Sequence, residues 1–360
     1  MLPLLAAFLT AVTLAGATPQ PTRLVTGPVL AGDRVVWGEQ GNGLNTLRAA
    51  HEATPLWQSG TSWFSGPLAG SASLVAFSRS YNGCPDQPGF ACPIETQAIA
   101  GPPRESLRPL APAERCSADG AGRRLAVSGE LVAYLALTCT SSSYTVLVSE
   151  HGRVVFRHRA SCCDVSLAGS YLAFKSGAAV DLFDLRTSRV VSRTGPPPNE
   201  PIAAFDVQAD GKLAVVLAPA AGGGAALAWR APGAAALHRL RLPVLLPFAG
   251  PTVRLAGDRI VVVSPGTGST SELVSADLLG HVRTPARFTK SVEQAGGIDA
   301  SEKSVTWASR RITSTRVDCP PPGQGRPCLL LKSGVETVWL ARLTSGPSRV
   351  VARWAFTDAP

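Results

Sequence analysis

The sequence predicts an all-β protein, a seven-bladed β-propeller with four antiparallel strands in each blade. Three observations lead to this fold class: a short motif that recurs along the chain, the near-constant spacing of its copies, and a composition rich in turn-forming residues. The 360 residues include 35 Gly and 30 Pro, with few Lys and Glu. This composition favours short strands joined by many turns over helices.

The recurring motif is L-A-G-D-R-V-V-W at residues 30–37. Close copies begin at Val127, Leu167 and Leu255, and looser copies at Leu68, Val207 and Ile298. The residues that end the motif follow one another at intervals of 40, 57, 40, 41, 47 and 45 residues; they are Trp37, Phe77, Tyr134, Phe174, Val215, Val262 and Trp307. A period of about 40–45 residues that carries four strands is typical of a propeller blade. Radial packing would bury both faces of each sheet. Seven blades fit best, and six or eight stay open because two copies are degenerate.

The strands that follow each motif are read from alternating apolar and polar residues bounded by turn signals. Blade one continues with residues 44–49 and 55–57, blade three with 144–149 and 153–157, and blade four with 179–185 and 189–192. Each pair of runs is joined by a short polar or Gly-containing turn. Four short strands per unit indicate an up-and-down antiparallel sheet.

The first 17 residues form an apolar run that ends in Ala15-Gly16-Ala17. This pattern predicts a secretory signal peptide cleaved after Ala17. No Lys or Arg precedes the run, so a lipid-facing anchor or a misplaced start codon is the alternative. We expect residues 18–360 to form a single propeller domain without a transmembrane span, secreted, periplasmic or associated with the cell envelope.

The two faces of the predicted propeller differ in their connections. Turns between strands one and two and between three and four are tight and share one face. The opposite face receives the long loops, which run over residues 79–93 in blade two and 310–334 in blade seven. All eight cysteines are predicted on this second face: Cys84, Cys92, Cys116, Cys139, Cys162, Cys163, Cys319 and Cys328.

In an exported chain these cysteines are expected to form disulfides. Cys84 is expected to pair with Cys92, and Cys319 with Cys328, since each pair encloses a Pro/Gly-rich loop. Cys116 and Cys139 should pair with Cys162 and Cys163 in an order that stays open, with a vicinal bond as the alternative. Such bonds can simply limit the entropy of a long insertion. They can also make the loops a rigid recognition rim.

The residues predicted to bind a partner lie on the two stapled loops. Those on blade two are Arg79, Tyr81 and Phe90, and those on blade seven are Arg310, Arg311, Arg316 and Arg326. Aromatic and Arg side chains on a rigid rim suit protein or glycan binding. The motif aromatics, in contrast, are expected to pack between blades.

Few residues have the pattern of a catalytic or metal site. The five histidines fall in different blades and no two share metal-ligand spacing, so we expect neither a metal nor a cofactor. An enzyme would need titratable side chains on the first strands, where they converge on the central channel. The candidates there are Asp206, Arg254 and Asp299.

The charge of +9 could favour acidic partners, but the arginines are scattered and form no block, so nucleic acid is not expected as a partner. The sequence therefore predicts a monomeric exported scaffold that binds a protein or glycan through its disulfide-bearing face. The alternative is a glycan-acting lyase or hydrolase with a site at the central channel. Of the two, the binding scaffold is the favoured interpretation.

The repeat resembles that of exported TolB-like and WD-repeat-like propellers, whose blades carry S-P-D-G-x-x-[IV]-[AV]-[FY]. The nearest match here is A-D-G-K-L-A-V at residues 209–215. The likeness extends over nearly all of the chain after the apolar run. It is a resemblance of scaffold, which implies a fold and not an activity.

Overall fold

A computed structural model describes residues 22–64, 68–81, 94–98, 125–138, 143–161, 164–218, 225–240, 252–264, 270–289, 291–319 and 328–357. Regular structure in these residues is β-strand. Blades 1, 2 and 3 contain β1 (Arg23–Ala31), β2 (Arg34–Gly41), β3 (Leu44–Ala49), β4 (Trp57–Ser59); β5 (Ser62–Phe64), β6 (Ala69–Gly70), β7 (Leu74–Tyr81), β8 (Ile94–Ala98); and β9 (Leu125–Ser128), β10 (Leu131–Thr138), β11 (Ser143–Glu150), β12 (Arg153–Ala160).

Blades 4 to 7 follow in the same way. They contain β13 (Val165–Ala168), β14 (Tyr171–Ser176), β15 (Ala179–Asp184), β16 (Arg189–Thr194); β17 (Ile202–Val207), β18 (Leu213–Leu217), β19 (Ala226–Arg230), β20 (His238–Arg239); β21 (Thr252–Ala256), β22 (Arg259–Ser264), β23 (Ser271–Asp277), β24 (Val282–Phe288); and β25 (Val292–Ala300), β26 (Ser304–Asp318), β27 (Leu329–Arg342), β28 (Arg349–Thr357).

The seven sheets are antiparallel and form a closed ring, which confirms the seven-bladed propeller. Strands run in chain order from first to fourth in six blades. In blade 2, β5 and β6 both pair with β7 and together make the first strand, and β8 is its third. First strands of neighbouring blades contact one another, so they line the axis.

The motif residues fill the space between blades, as predicted. Trp37, Phe77, Tyr134, Phe174 and Trp307 are all buried. Each lies in an apolar cluster with side chains of the preceding blade; Phe174, for example, packs with Val146 and Val148 of blade 3. Because the motif ends on the second strand, its repetition places one apolar side chain in each interface, an aromatic one in five blades and Val215 or Val262 in the other two.

Tight turns join strands one and two and strands three and four on one face of the disk. Aspartates stabilise three of them by hydrogen bonding to the backbone two residues on, at Asp184, Asp210 and Asp277. Burial raises the pKa of Asp277, but hydrogen bonds from the backbone and ring of His281 and from the backbone of Leu279 outweigh it. The net pKa of Asp277 therefore lies below its usual value.

Among the described strands, the ring closes between blade 1 and blade 7 by packing, and no strand is shared by the two sheets. Bulges in β1 and β25 meet there, and a Cβ on Gly296 would overlap the carbonyl oxygen of Gly27. Gly296 also has a φ of 65°, so glycine suits this position both because it has no Cβ and because it readily adopts a positive φ. Trp37 stacks on Trp354 across the seam, with ring centroids 6.3 Å apart.

No helix in the described part of the chain is long and apolar enough to span a membrane. The predicted signal peptide, residues 1–17, lies outside the described residues.

Candidate interaction surface on blade 7

The second and third strands of blade 7 are the longest in the described chain. β26 has 15 residues and β27 has 14, and they pair continuously from Ser304↔Arg342 to Asp318↔Leu329, with one bulge. The predicted loop over residues 310–334 is therefore wrong in extent. Residues 310–318 and 329–334 are strand, and in β26 the β-branched Ile312, Thr313, Thr315 and Val317 favour this conformation.

A disulfide between Cys319 and Cys328 closes this hairpin, with a Cα–Cα distance of 4.2 Å. The predicted pairing of these two cysteines is confirmed. The bond follows directly on the last paired residues, Asp318 and Leu329. It therefore fixes the end of the hairpin, where a two-stranded ladder would otherwise fray.

The hairpin rises above the neighbouring blade. β2 of blade 1 ends at Gly41, four residues after Trp37, whereas β26 ends at Asp318, eleven residues after the equivalent Trp307. One of these seven additional residues lies in the bulge, and the other six correspond to about 20 Å at about 3.3 Å per residue. We call residues 313–318 and 329–333 the ribbon.

The side chains of the ribbon alternate between its two faces. Leu330 and Lys332 share the face of Glu336, which looks toward blade 1, and Val317 lies opposite Leu330. Leu329 and Leu331 lie on the other face, with Arg316 opposite Leu331. Val317 is 62% exposed, Leu330 58% and Leu329 45%, so the ribbon presents apolar side chains to solvent on both faces.

A buried carboxylate holds the base of the ribbon against blade 1. Glu336 is fully buried and accepts hydrogen bonds from the backbone N–H of Leu24 (2.6 Å), from Arg310 (2.7 and 3.0 Å) and from the indole of Trp354 (2.8 Å). Arg310 also lies over the ring of Phe356, 4.5 Å from its centroid. The ribbon is therefore continuous with a well-anchored sheet.

The predicted binding residues of blade 7 separate into two groups. Arg310 is engaged with Glu336 and Phe356 at the seam. Arg311 and Arg316 are exposed and lie on the face of β26 opposite to Arg310. Lys332, which the sequence did not indicate, bonds Glu293 of β25 at 2.6 Å. Arg326 lies outside the described residues.

The predicted binding residues of blade 2 are only partly described. Arg79 and Tyr81 lie in β7, so residues 79–81 are strand and the predicted loop does not begin at Arg79. Phe90, Cys84 and Cys92 lie outside the described residues. The same holds for the other four cysteines, Cys116, Cys139, Cys162 and Cys163.

The three predicted channel residues lie on first strands and bond to neighbouring blades. Arg254 donates to Asp299 at 2.8 Å, and Asp299 also accepts the backbone N–H of Leu30 at 2.9 Å. Asp206 accepts the backbone N–H of Leu255 at 2.8 Å and the hydroxyl of Ser166. These bonds link blades 4, 5, 6, 7 and 1 in sequence. The structure thus brings Arg254 and Asp299 into contact. Asp206 does not contact this pair through these hydrogen bonds, and bonds instead to Leu255 and Ser166.

These residues occupy equivalent places in their strands, each paired with the residue that precedes the last residue of the motif. Strand register puts Ser166, Asp206, Arg254 and Asp299 in the position that holds Val29, Ala69 and Ala126 in blades 1 to 3. Sequence reasoning missed Ser166, although aligning the motif copies shows its polar position. At this position the first strands of blades 4 to 7 carry polar side chains, and those of blades 1 to 3 carry apolar ones. Among the described residues no group of three His, Cys, Asp or Glu could hold a metal ion.

No protein-family model matches the chain, and no curated protein matches it in sequence. Solved structures do match. A puromycin-hydrolyzing peptidase of Mycobacterium tuberculosis is 16% identical with a TM-score of 0.57, over 92% of this chain and 53% of that chain. BamB of Moraxella catarrhalis is 10% identical with a TM-score of 0.45, over 95% and 98%. TolB of Acinetobacter baumannii is 12% identical with a TM-score of 0.40, over 81% and 68%.

These likenesses concern the fold. The scaffold resemblance expected from the repeat is confirmed, since the structure is a seven-bladed propeller. The chain spans about half the length of the Mycobacterium peptidase and of a prolyl endopeptidase that also matches. No activity of those longer proteins transfers to this chain.

Proposed function

We propose that this protein is an exported, monomeric scaffold that binds a protein partner through the face from which the ribbon rises. The observation that supports this proposal is the ribbon. It stands clear of blade 1, is closed by a disulfide, and exposes Val317, Leu329 and Leu330. Exposed apolar groups on a rigid support are typical of interaction sites. The solvent-exposed apolar groups of the ribbon are aliphatic, which suits a protein surface better than a sugar ring.

Two observations support export. The chain begins with an apolar run that ends in Ala-Gly-Ala, and the ribbon ends in a disulfide, a bond that persists in oxidising compartments. Export would remove residues 1–17. Mass spectrometry of the protein from its native cells should then find Thr18 at the amino terminus. An intact Met1 would argue for the anchor alternative.

Site-specific photocrosslinking tests the interaction directly. A benzophenone amino acid is placed at Val317 or Leu330 in the full-length protein, and the producing cells are irradiated. We expect one discrete protein adduct from each position. The matched control is Val350, which is 50% exposed on β28 of the same blade and should give no adduct.

Three results would count against the proposal. Adducts of equal yield from Val350 would mean that the ribbon has no special role. No protein adduct from Val317 or Leu330 would reject a protein partner at the ribbon. A carbohydrate adduct would reassign the surface to a glycan, and then Tyr81 and Phe90 of blade 2 would be the residues to test next.

A further inference from the structure

The ribbon has two edges that no described strand covers, residues 313–318 of β26 and the shorter run 329–332 of β27, and the longer one is the edge of β26. β25 pairs with β26 as far as Val292↔Arg311, and Ile312 donates its N–H to Ser291. Beyond that point, residues 313–318 pair with β27 on one side and with no described strand on the other. Six residues are enough for a strand. The backbone groups along this edge are therefore available to an added strand.

Six other outer edge strands in the described part of the chain have features that hinder such pairing, whereas β8 of blade 2 (five residues) and residues 329–332 of β27 do not. β4 has three residues and β20 has two. β12, β16, β24 and β28 each carry a β-bulge against the third strand of their blade. Short edge strands and bulges are standard means of preventing edge-to-edge association. The ribbon edge has a regular register from Ser314 to Asp318 and contains no proline.

The two faces beside this edge differ in charge. Val317 and Leu330 make the face toward blade 1 apolar, and the charge of Lys332 there is balanced by Glu293. The opposite face carries the exposed Arg311 and Arg316, with Asp318 near the disulfide. Over residues 310–336 there are five basic residues and two acidic ones, a net charge of +3. Side chains of an added strand would alternate between an apolar face and a basic one.

We propose that the inner edge of β26, residues 313–318, binds an extended segment of a partner protein by β-strand addition. The matching segment alternates apolar and acidic residues, with the apolar ones over Val317 and the carboxylates toward Arg311 and Arg316. Main-chain hydrogen bonds supply affinity and the alternate side chains supply specificity. This inference rests on the proposed function and specifies its binding mode.

The test uses the full-length protein and a labelled, end-blocked heptapeptide of alternating Val and Glu, followed by fluorescence anisotropy. We expect saturable binding. The same peptide with Lys in place of Glu should bind at least tenfold more weakly. A peptide with every backbone amide N-methylated keeps the side chains, loses the main-chain hydrogen bonds, and should not bind.

Variants locate the site. Arg316→Glu and Val317→Thr should each weaken binding of the Val-Glu peptide at least fivefold, while Arg349→Glu and Val350→Thr on β28 should leave it unchanged. Binding that is insensitive to Arg316→Glu and Val317→Thr would overturn the proposal. So would equal binding of the N-methylated peptide, since recognition would then need no added strand.

Two further outcomes separate this inference from the proposed function. If the peptide fails to bind but the Val317 crosslink to a protein persists, strand addition is wrong and the scaffold proposal stands. If sedimentation shows a concentration-dependent dimer that Arg316→Glu dissolves, the occupant of the edge is a second copy of this chain. That result would overturn both the partner segment and the monomeric state.

Discussion

Blade 7 contains two regions built from the same pair of strands. From Ser304 to Arg310, β26 is largely buried, and Glu336 on β27 is enclosed by blade 1. From Thr313 to Asp318 most of the strand is exposed, although the ladder and the alternation of side chains continue. The surroundings differ: the lower region has a neighbouring blade on each side, and the ribbon extends beyond the end of β2 in blade 1. The same strand geometry thus closes the ring in residues 304–310 and forms an exposed surface in residues 313–318.

Two carboxylates show this contrast in electrostatic terms. Glu336 is fully buried and pairs with Arg310, whose side chain is 23% exposed, whereas Glu293, which pairs with Lys332 at the base of the ribbon, has 34% of its side chain exposed. A buried pair that loses one partner leaves a desolvated charge behind, whereas water replaces a partner at an exposed pair. We therefore expect removal of the two carboxylates to have very different effects.

The largest expected effect is that of Glu336→Ala. It leaves Arg310 without its acid and the N–H of Leu24 without an acceptor, and should lower the free energy of unfolding by about 3 kcal/mol. Urea denaturation measures this. Glu293→Ala is the matched control and should change the stability by less than about 1 kcal/mol. Equal effects would mean that the two regions do not differ.

Asp299→Ala tests the seam nearer the axis. The carboxylate joins Arg254 of blade 6 to the backbone of Leu30 in blade 1, and its loss should lower the free energy of unfolding by about 2 kcal/mol. Asp258→Ala, in an exposed turn of blade 6, is the control for loss of one negative charge. A stability unchanged by Asp299→Ala would restore this residue as a candidate for another role.

Replacing both Cys319 and Cys328 by Ser should act mainly on the ribbon. Closing a loop of this length is worth about 2 kcal/mol, and hydrogen exchange should show faster opening at residues 313–318. Amides of β15 and β18 should exchange at the native rate. Equal acceleration in those strands would show that the ribbon and the ring unfold as one unit.

The smallest effect is expected from the double variant Val317→Thr with Leu330→Thr. Both side chains are exposed, so the free energy of unfolding should change by less than about 0.5 kcal/mol while partner binding falls. A matched pair in the core, Val261→Thr with Val274→Thr, should destabilise strongly. A large loss of stability from the ribbon variant would mean that its apolar side chains are packed in the folded protein.

Much of the fold could be predicted because the motif is local. Its Gly-containing turn and the aromatic at its end lie within eight residues, so the copies give the phase of each blade and the position of each core aromatic. Cys319 and Cys328 could be paired for a similar reason: they are nine residues apart in the sequence.

The ribbon and the seam could not be found in this way. Residues 310–318 lack the alternation of a half-buried strand, since residues 313–317 are all exposed, and only Ile312, Thr313, Thr315 and Val317 signal a strand. In the sequence Glu336 lies among apolar neighbours, but the sequence alone predicts an ordinary surface residue at this position. Its burial depends on Leu24, 312 residues earlier in the chain. Likewise, the bond between Arg254 and Asp299 requires two first strands to meet.

By itself the sequence determined the repeating unit, its four strands and the two faces of the disk, since these follow from turn chemistry and side-chain periodicity within about 40–45 residues. The closure of the ring through Glu336 and Asp299 was decided only in the tertiary structure. So was the extension of one hairpin into a free-standing ribbon. The physical reason is burial: whether a charged or apolar side chain is covered depends on strands that are distant in the chain and meet only when the ring closes.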